Sequence, residues 1–169
     1  MHLIISCSLN ENSRSRIMAR HALELYGENS KFIDLSKITL PFCDGNQCYN
    51  DPNVIELKNI IEKSESILVA SPIYNYDLNS VSKNLIELTG RIWTDKVVGF
   101  ICAAGGERSY MSPMSFANSL MLDFRCIIIP RFVYANSTSF NEVNEPDKVL
   151  KSRIKELVNA SKALSRISC

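Results

Sequence analysis

Hydroxyl and amide side chains are concentrated in a short segment near the start of the chain, and such groups are ligands for a phosphate. The segment reads S-L-N-E-N-S-R-S from Ser8 to Ser15, after the apolar run Leu3–Cys7 and before an amphipathic helical pattern. The N–H groups and the positive dipole end at the start of a helix attract anions. The candidate phosphate ligands are the polar side chains Ser8, Asn10, Ser13 and Ser15. Ser13 could equally be a plain N-cap, and the segment is neither a Walker loop nor a G-x-G-x-x-G fingerprint.

Two further loops combine aromatic, amide and glycine residues after later apolar runs. One reads S-P-I-Y-N-Y from Ser71 to Tyr76, where a proline fixes the backbone at the end of the run. The other, Ala104–Tyr110, holds adjacent glycines, which permit close approach of a ligand and unusual φ angles. Apolar and aromatic walls with a few polar groups bind flat ring systems. The candidate ring-binding residues are Pro72, Ile73, Tyr74, Asn75, Tyr76, Gly105, Gly106 and Glu107.

Five short apolar runs alternate with helical patterns, and these elements must position the three loops. The runs are Leu3–Cys7, Lys31–Leu35, Ser66–Ser71, Lys96–Ala104 and Cys126–Ala135. Near-continuous apolar runs are typical of parallel strands buried on both faces, so the pattern predicts a doubly wound α/β sheet. The three loops follow the first, third and fourth runs, and ligands bind beyond the carboxyl ends of such strands. Each loop alone could be an ordinary turn, but together they predict a bound flavin nucleotide.

The length and composition predict one globular domain spanning residues 1–169. Apolar residues make up 46% and charged residues 22% of the chain, and its formal net charge is +1. A nearly neutral chain lacks the basic surplus that nucleic-acid-binding proteins usually carry. The sequence has no apolar run of membrane-spanning length and no signal peptide, so we expect a cytoplasmic protein that does not bind membranes. Among its six cysteines, Cys7, Cys102 and Cys126 lie in or beside apolar runs and are expected to be buried free thiols.

These motifs resemble the NADPH-dependent FMN reductase family of flavodoxin-like proteins. That family has a G-S-L-R-x-x-S-x-N-R phosphate loop, a P-x-Y-N flavin loop followed by a lysine–asparagine pair, and a glycine-rich loop after the fourth strand. The matching segments here are Cys7–Arg16, Pro72–Asn75, Lys83–Asn84 and Gly105–Gly106. The resemblance implies a flavodoxin-like three-layer α/β/α sandwich whose five-stranded parallel sheet has the order 2-1-3-4-5. It also implies non-covalently bound FMN, NADPH or NADH as hydride donor, and a homodimer or homotetramer.

The phosphate loop departs from the family motif at three positions. Cys7 stands in place of the family glycine, Asn10 in place of the arginine, and Ser15 in place of the asparagine. Loss of the arginine removes a charge-assisted contact with the phosphate. Either Arg14 or Arg16 could compensate, and the sequence leaves the direction of both side chains open.

The resemblance predicts an oxidoreductase without a catalytic side chain of its own, because the cofactor performs the hydride chemistry. The electron acceptor would be a small molecule such as free flavin, a quinone, an azo dye or a metal oxyanion. A flavodoxin-type electron carrier and a flavin-free scaffold protein are the alternatives. An iron–sulfur flavoprotein is a further hypothesis, since Cys43 and Cys48 lie in the segment 36–52, which is predicted to be a surface loop. A four-cysteine cluster would need two more ligands nearby, so no metal site is predicted.

Overall fold

The computed structural model describes residues 1–166 and contains seven strands and five α-helices within them. The strands are β1 (His2–Ser6), β2 (Ser30–Asp34), β3 (Ser66–Tyr74), β4 (Asp77–Leu78), β5 (Val97–Ala103), β6 (Ile127–Ile128) and β7 (Val133–Ala135). The helices are α1 (Arg14–Tyr26), α2 (Pro52–Glu62), α3 (Ser80–Thr89), α4 (Met114–Phe124) and α5 (Lys148–Ser165). Strands and helices alternate along most of the chain, as the sequence predicts.

The main sheet is parallel and has the order β2-β1-β3-β5-β6, with β7 also paired to β5. The five predicted runs therefore lie in the predicted order 2-1-3-4-5, but the predicted count of five strands is wrong. The fifth run is divided into β6 and β7 by Pro130 and by Arg131, whose φ is +64°. A proline cannot donate to the sheet, and a positive φ breaks the extended backbone. The other additional strand, β4, forms a short antiparallel hairpin with β3.

Two apolar clusters cover the two faces of the sheet and produce the three-layer architecture. Along β1, Leu3 and Ile5 belong to one cluster and Ile4 belongs to the other, because successive side chains of a strand point to opposite faces. Residues of α2, α3 and α4 complete the first cluster, and residues of α1 and α5 complete the second. Burial on both faces explains why these strands are near-continuous apolar runs.

A glycine allows α5 to pack closely on the centre of the sheet. A Cβ added at Gly99 of β5 would lie 2.8 Å from Leu68 Cδ2, 3.0 Å from Leu157 Cδ1 and 3.1 Å from Ile129 Cδ1. Three neighbours at such short range leave no room for a methyl group. Gly99 therefore has a packing role, and it lies away from the loops at the carboxyl edge.

Side-chain N-caps start the two helices that follow the strands of the candidate site. Ser13 Oγ accepts a hydrogen bond from Arg16 N at 3.1 Å at the start of α1. Asn79 Oδ1 accepts one from Ser82 N at 3.1 Å at the start of α3. Each cap satisfies an N–H group that the helix itself cannot pair, and it fixes where the strand-to-helix loop ends.

Candidate functional site

The three predicted loops meet at the carboxyl edge of the sheet, because β1, β3 and β5 are neighbours in it. Two adjoining cavities of about 410 Å³ and 440 Å³ open there. Both are lined by Ile73, Ala104 and Gly105, so they adjoin along a shared wall, and the two cavities together are called the cleft below. The first cavity is lined by the predicted residues Ser8, Asn10, Ser13, Ser15, Pro72, Ile73, Tyr74 and Gly105. The second is lined by Ile73, Asn75, Tyr76, Gly105, Gly106 and Glu107.

The first loop is folded by hydrogen bonds from its own side chains. Ser8 Oγ accepts from Asn10 N at 3.3 Å, and Asn10 Oδ1 accepts from Asn12 N at 2.8 Å. Ser13 Oγ caps α1 and also lies 2.9 Å from Ser15 Oγ. The plain N-cap interpretation of Ser13 is thus correct, and the same hydroxyl still lines the cavity. The loop surrounds the positive end of the α1 dipole with hydroxyl groups.

Arg16 turns inward and holds this loop to the sheet. Its Nη2 donates to Ser8 O at 2.6 Å and its Nη1 to Asn10 O at 2.8 Å. Its Nε lies 2.9 Å from Asp34 Oδ2 at the end of β2, and the side chain is buried. A guanidinium with these partners cannot also reach a ligand in the cavity, so its role is to fix the loop backbone.

Arg14 is the arginine that lines the cavity. Its guanidinium stacks 5.3 Å from the centre of the Phe140 ring, and its Nε donates to Asn144 Oδ1 at 3.3 Å. Asn144 also lines the cavity and has a φ of +59°, in a tight turn held by the side chain of Asn141. Of the two arginines that the sequence left open, Arg14 is therefore the one available to a bound anion.

The second predicted loop, Ser71–Tyr76, lies mostly within β3, because that strand continues to Tyr74 and Pro72 pairs with Ala103 of β5. Only its last two residues, Asn75 and Tyr76, form a loop, which is the turn of the β3–β4 hairpin. Tyr74 pairs with Asp77 across it, and the central residues Asn75 and Tyr76 have φ angles of +52° and +63°. Positive φ at both positions is the mark of a type I′ turn, which usually contains asparagine and glycine. A tyrosine in that conformation is strained, and strained residues are concentrated at functional sites. Tyr74 and Tyr76 are 55% and 67% exposed, so both rings are accessible to a ligand.

The third loop leaves open space at its glycines. Neither Gly105 nor Gly106 has a positive φ, so the expectation of unusual φ angles is wrong for this loop. The expectation of close approach remains, because a Cβ built on either glycine has no atom within 4 Å from the described residues beyond that glycine and its two chain neighbours. A flat ligand can approach the backbone where those side chains are missing.

Tyr134 of β7, which is not among the predicted site residues, holds the glycine loop in place. Its hydroxyl donates to Gly106 O and lies 2.8 Å from Ser109 Oγ. Asn136 Nδ2 donates to Glu107 Oε1 at 3.4 Å. These contacts tie the loop after β5 to the last strand of the sheet.

Asn79 connects the first two loops beneath the cleft. Its Nδ2 donates to Cys7 O at 2.7 Å, and its Oδ1 accepts from Ser82 Oγ at 2.8 Å and from Ser71 Oγ at 3.1 Å. It is 6% exposed and joins the ends of β1, β3 and α3. Sequence reasoning missed it, although an asparagine directly before a helical pattern is a recognisable N-cap signal.

The cysteines near the sheet are buried and protonated. Burial raises the pKa of the Cys7 thiol to about 12 and that of Cys126 to about 11, and it also raises the pKa of Cys102. All three are free thiols, as predicted, while Cys169 lies outside the described residues. Within residues 1–166, no group of three or more His, Cys, Asp or Glu side chains could hold a metal ion.

Comparison with known proteins identifies the family. The model of the family described as "NADPH-dependent FMN reductase" matches residues 2–140. The chain belongs to this family. An NAD(P)H-dependent FAD/FMN reductase of Geobacillus thermodenitrificans is 29% identical over 133 residues, which cover 75% of this chain and 70% of the relative. An NADPH:quinone oxidoreductase of Arabidopsis thaliana is 28% identical over 95% of this chain and 89% of its own.

Solved structures confirm the flavodoxin-like fold. The flavoenzyme NAD(P)H:(acceptor) oxidoreductase FerB of Paracoccus denitrificans superimposes with a TM-score of 0.81. It covers 98% of this chain and 96% of its own at 19% identity. The predicted resemblance is confirmed, and the chain is an NAD(P)H-dependent FMN oxidoreductase. None of the described helices is long and apolar enough to cross a membrane.

Proposed function

We propose that the cleft holds one FMN molecule, with its phosphate in the first cavity and its ring system in the second. The observation that carries this proposal is the shared wall of Ile73, Ala104 and Gly105, which joins a hydroxyl-lined cavity to an open, partly aromatic one. FMN has the same two parts, a phosphate and a flat ring joined by a polar chain. The proposed contacts are the twelve predicted residues together with Arg14.

The phosphate end is held by hydroxyl groups, a helix N-terminus and one cation. Ser8, Ser13 and Ser15 surround the start of α1, where the helix dipole favours negative charge. Arg14 supplies the charge that the neutral Asn10 lacks, and it can form the stronger, charge-assisted type of hydrogen bond. The internal bonds of the loop keep this cradle in place before the ligand arrives, which lowers the ordering cost of binding.

The ring end is open on one side. Tyr76 lines this cavity and Tyr74 lines the adjoining one, and the bare backbone of Gly105 and Gly106 also borders the ring cavity. When bound, FMN supplies the redox chemistry by accepting hydride from NAD(P)H and passing two electrons to an acceptor. The residues of the glycine loop and of the hairpin turn would hold the ring and leave room for the nicotinamide and the acceptor. Glu107, which accepts from Asn136 at 3.4 Å, lies at the rim of this end.

The proposed acceptor class is a quinone. Both the Arabidopsis relative and a 29% identical NAD(P)H:quinone oxidoreductase of Solanum tuberosum align over about the whole chain, at 95% and 94% coverage. A quinone is flat and apolar, so it suits an open site bordered by tyrosine rings. Free flavin is the rival acceptor, and parallel assays with a benzoquinone and with free FMN will rank the two by kcat/KM.

We further propose that residues 1–169 form one domain that works in the cytoplasm as a homodimer or homotetramer. Exposed apolar side chains beside the cleft support association, and they include Tyr74, Tyr76, Tyr110 and Met111. Large exposed apolar groups that lie together commonly mark an interaction surface. Light scattering coupled to gel filtration measures the mass directly, and a monomer with full activity would contradict the oligomer proposal.

The decisive experiment is an absorption spectrum of the protein with added FMN, before and after anaerobic NADPH. Peaks near ~370 and ~450 nm that bleach rapidly are expected, because these bands belong to oxidised flavin. A flavin spectrum that NADPH leaves unchanged would contradict the reductase mechanism. Failure to take up FMN at all would contradict the assignment of the cleft.

A further inference from the structure

Two cysteines lie together in the segment between β2 and α2, away from the buried thiols of the sheet. Cys48 is 4% exposed and packs with Val54 of α2 and Leu88 of α3. Cys43 is half-buried and packs against the same small cluster. The flavin cleft uses neither residue.

The turn that carries both cysteines is fixed by hydrogen bonds. Asn84 of α3 accepts from Cys43 N at 2.9 Å and donates to Pro41 O at 2.9 Å. Asp44 Oδ1 accepts from Asn46 N at 2.8 Å and from Cys48 N at 3.1 Å. The carboxylate of Asp44 thus folds the chain back, so that Cys48 returns toward Cys43.

The two thiols interact with each other and have different surroundings. The Cys48 thiol interacts with the Asp44 carboxylate and with the Cys43 thiol, and burial raises its pKa. Hydrogen bonds from Cys48 and from backbone N–H groups lower the pKa of Asp44 to about 2, so this carboxylate is charged at neutral pH. Cys43 is the more accessible thiol, and its Sγ lies 3.6 Å from the hydroxyl of Tyr49.

A pair of thiols without further ligands is suited to disulfide chemistry rather than to metal binding. A zinc or iron–sulfur site takes about four ligands, and no such group exists among residues 1–166. An accessible thiol beside a shielded partner is the usual arrangement of a redox-sensitive pair, in which one sulfur is attacked first and the other resolves it.

We propose that Cys43 and Cys48 form an oxidisable dithiol site that closes to an intramolecular disulfide when a hydroperoxide reacts with it. Cys43 attacks the peroxide, its S–H becomes S–OH, and the O–O bond breaks to release water or an alcohol. The Cys48 thiol then displaces hydroxide from the Cys43 sulfur, which forms the S–S bond and releases water. Two thiols are oxidised by two electrons, and one peroxide is reduced. A cellular dithiol of the thioredoxin type would reverse the reaction.

Hydrogen peroxide is one oxidant of this class, and reduced flavins form it by passing two electrons to dioxygen. The proposal does not depend on flavin binding, since neither cysteine lines the cleft. It can therefore be tested on the protein with or without FMN, and its failure would leave the proposed function untouched.

The test uses peptide mass spectrometry after graded hydrogen peroxide and alkylation of the remaining thiols. Trypsin releases residues 38–58 as one peptide that contains Cys43 and Cys48 and no other cysteine. We expect this peptide to become lighter by ~2 Da, to lose both alkylations, and to recover them after a dithiol reductant. The peptides carrying Cys7, Cys102 and Cys126 serve as internal references that stay reduced.

Two variants test the assigned order of the steps. In Cys48→Ser, Cys43 should accumulate as the sulfenic acid, detected as a dimedone adduct, whereas Cys43→Ser should give little adduct. Tyr49→Phe keeps the ring that packs under Lys58 and removes only the hydroxyl, and it should slow oxidation roughly threefold to tenfold. Oxidation of both thiols to sulfinic acid without a disulfide, a disulfide between two chains, or resistance equal to that of the reference peptides would overturn the proposal. An unchanged rate in Tyr49→Phe would show that the hydroxyl, 3.6 Å from Cys43 Sγ, does not assist the attack of this sulfur on the peroxide.

Discussion

Substitution of Gly105 separates the cost of filling the cleft from the cost of disturbing the fold. A Cβ at this position meets no atom within 4 Å from the described residues beyond Gly105 and its two chain neighbours, and the glycine does not have a positive φ. Gly105→Ala should therefore leave the stability of the flavin-free protein unchanged or raise it by ~0.4–1 kcal/mol, since a glycine gives the unfolded chain more freedom. The larger Gly105→Val should likewise not lower the stability of the flavin-free protein, and its side chain should occupy the space where the two cavities adjoin.

The expected loss of flavin affinity follows from the cost of overpacking. Forcing extra methyl groups into a fitted contact costs about 1–3 kcal/mol, which corresponds to a Kd for FMN about 5-fold to 150-fold higher. At a free FMN concentration 100 times the wild-type Kd, binding adds about 2.7 kcal/mol of stability, or about 5–11 °C in Tm for a chain of this size. A variant that binds 50-fold more weakly should retain only about 0.6 kcal/mol, or about 1–3 °C.

Thermal unfolding with and without FMN measures both quantities, and Gly99 provides the matched control. A methyl at Gly99 would lie 2.8 Å from Leu68 Cδ2, so Gly99→Ala should lower the Tm of the flavin-free protein through overpacking of about 1–3 kcal/mol. It should leave the FMN-induced shift unchanged. If Gly105→Val kept the full FMN-induced shift, or unfolded as early as Gly99→Ala without flavin, the assignment of the glycine loop to the ring would be wrong.

Three other perturbations test the phosphate end, the connection beneath the cleft and the pH dependence. Arg14→Gln should raise the Kd for FMN about 10-fold to 100-fold and leave riboflavin binding unchanged in fluorescence titrations, because only FMN carries the phosphate. Asn79→Ala should lower the Tm by about 4–12 °C in calorimetry, because ~2–3 kcal/mol is lost with the cap and the bond to Cys7 O, and Asn79→Ser should recover part of it. Burial lowers the pKa of His2 below its ordinary value of 6.5, so near that pH the unfolded chain binds a proton that the folded chain does not. Stability in urea should therefore be full above about pH 6.5 and fall below it, and His2→Gln should flatten that slope.

The sequence predicts the sheet well because its signals are local and repeated. A strand buried on both faces must be apolar along its whole length, so β1, β3 and β5 are visible as runs. The same reasoning predicts a single strand where the structure has β6 and β7, although Pro130 indicates a break between them. The hairpin of β3 and β4 was missed because its turn is Asn75-Tyr76, which lacks the usual glycine.

Contacts between distant segments account for what the sequence could not predict about the site. The direction of Arg16 depends on Asp34 at the end of β2, and that of Arg14 depends on Phe140 and Asn144 near the other end of the chain. Residue types alone show which side chains are able to bind a phosphate. Folding brings Arg16 to partners that occupy its guanidinium, whereas it leaves Arg14 at the cleft. The sequence does not show these partners, because they are distant along the chain.

The two ends of the cleft are built differently, and the difference agrees with the part of FMN that each is proposed to hold. At the phosphate end, Arg16 and the serine hydroxyls fix the loop in advance, which suits a compact anion with one preferred position. At the ring end, a strained Tyr76 and an open glycine backbone border a cleft that the protein itself does not fill. In the proposed assignment the cofactor and two successive substrates share that space, so the packing there cannot be completed by side chains. The rigid loop at the phosphate end would therefore fix the position of the cofactor, because the open ring end has few side chains that could do so.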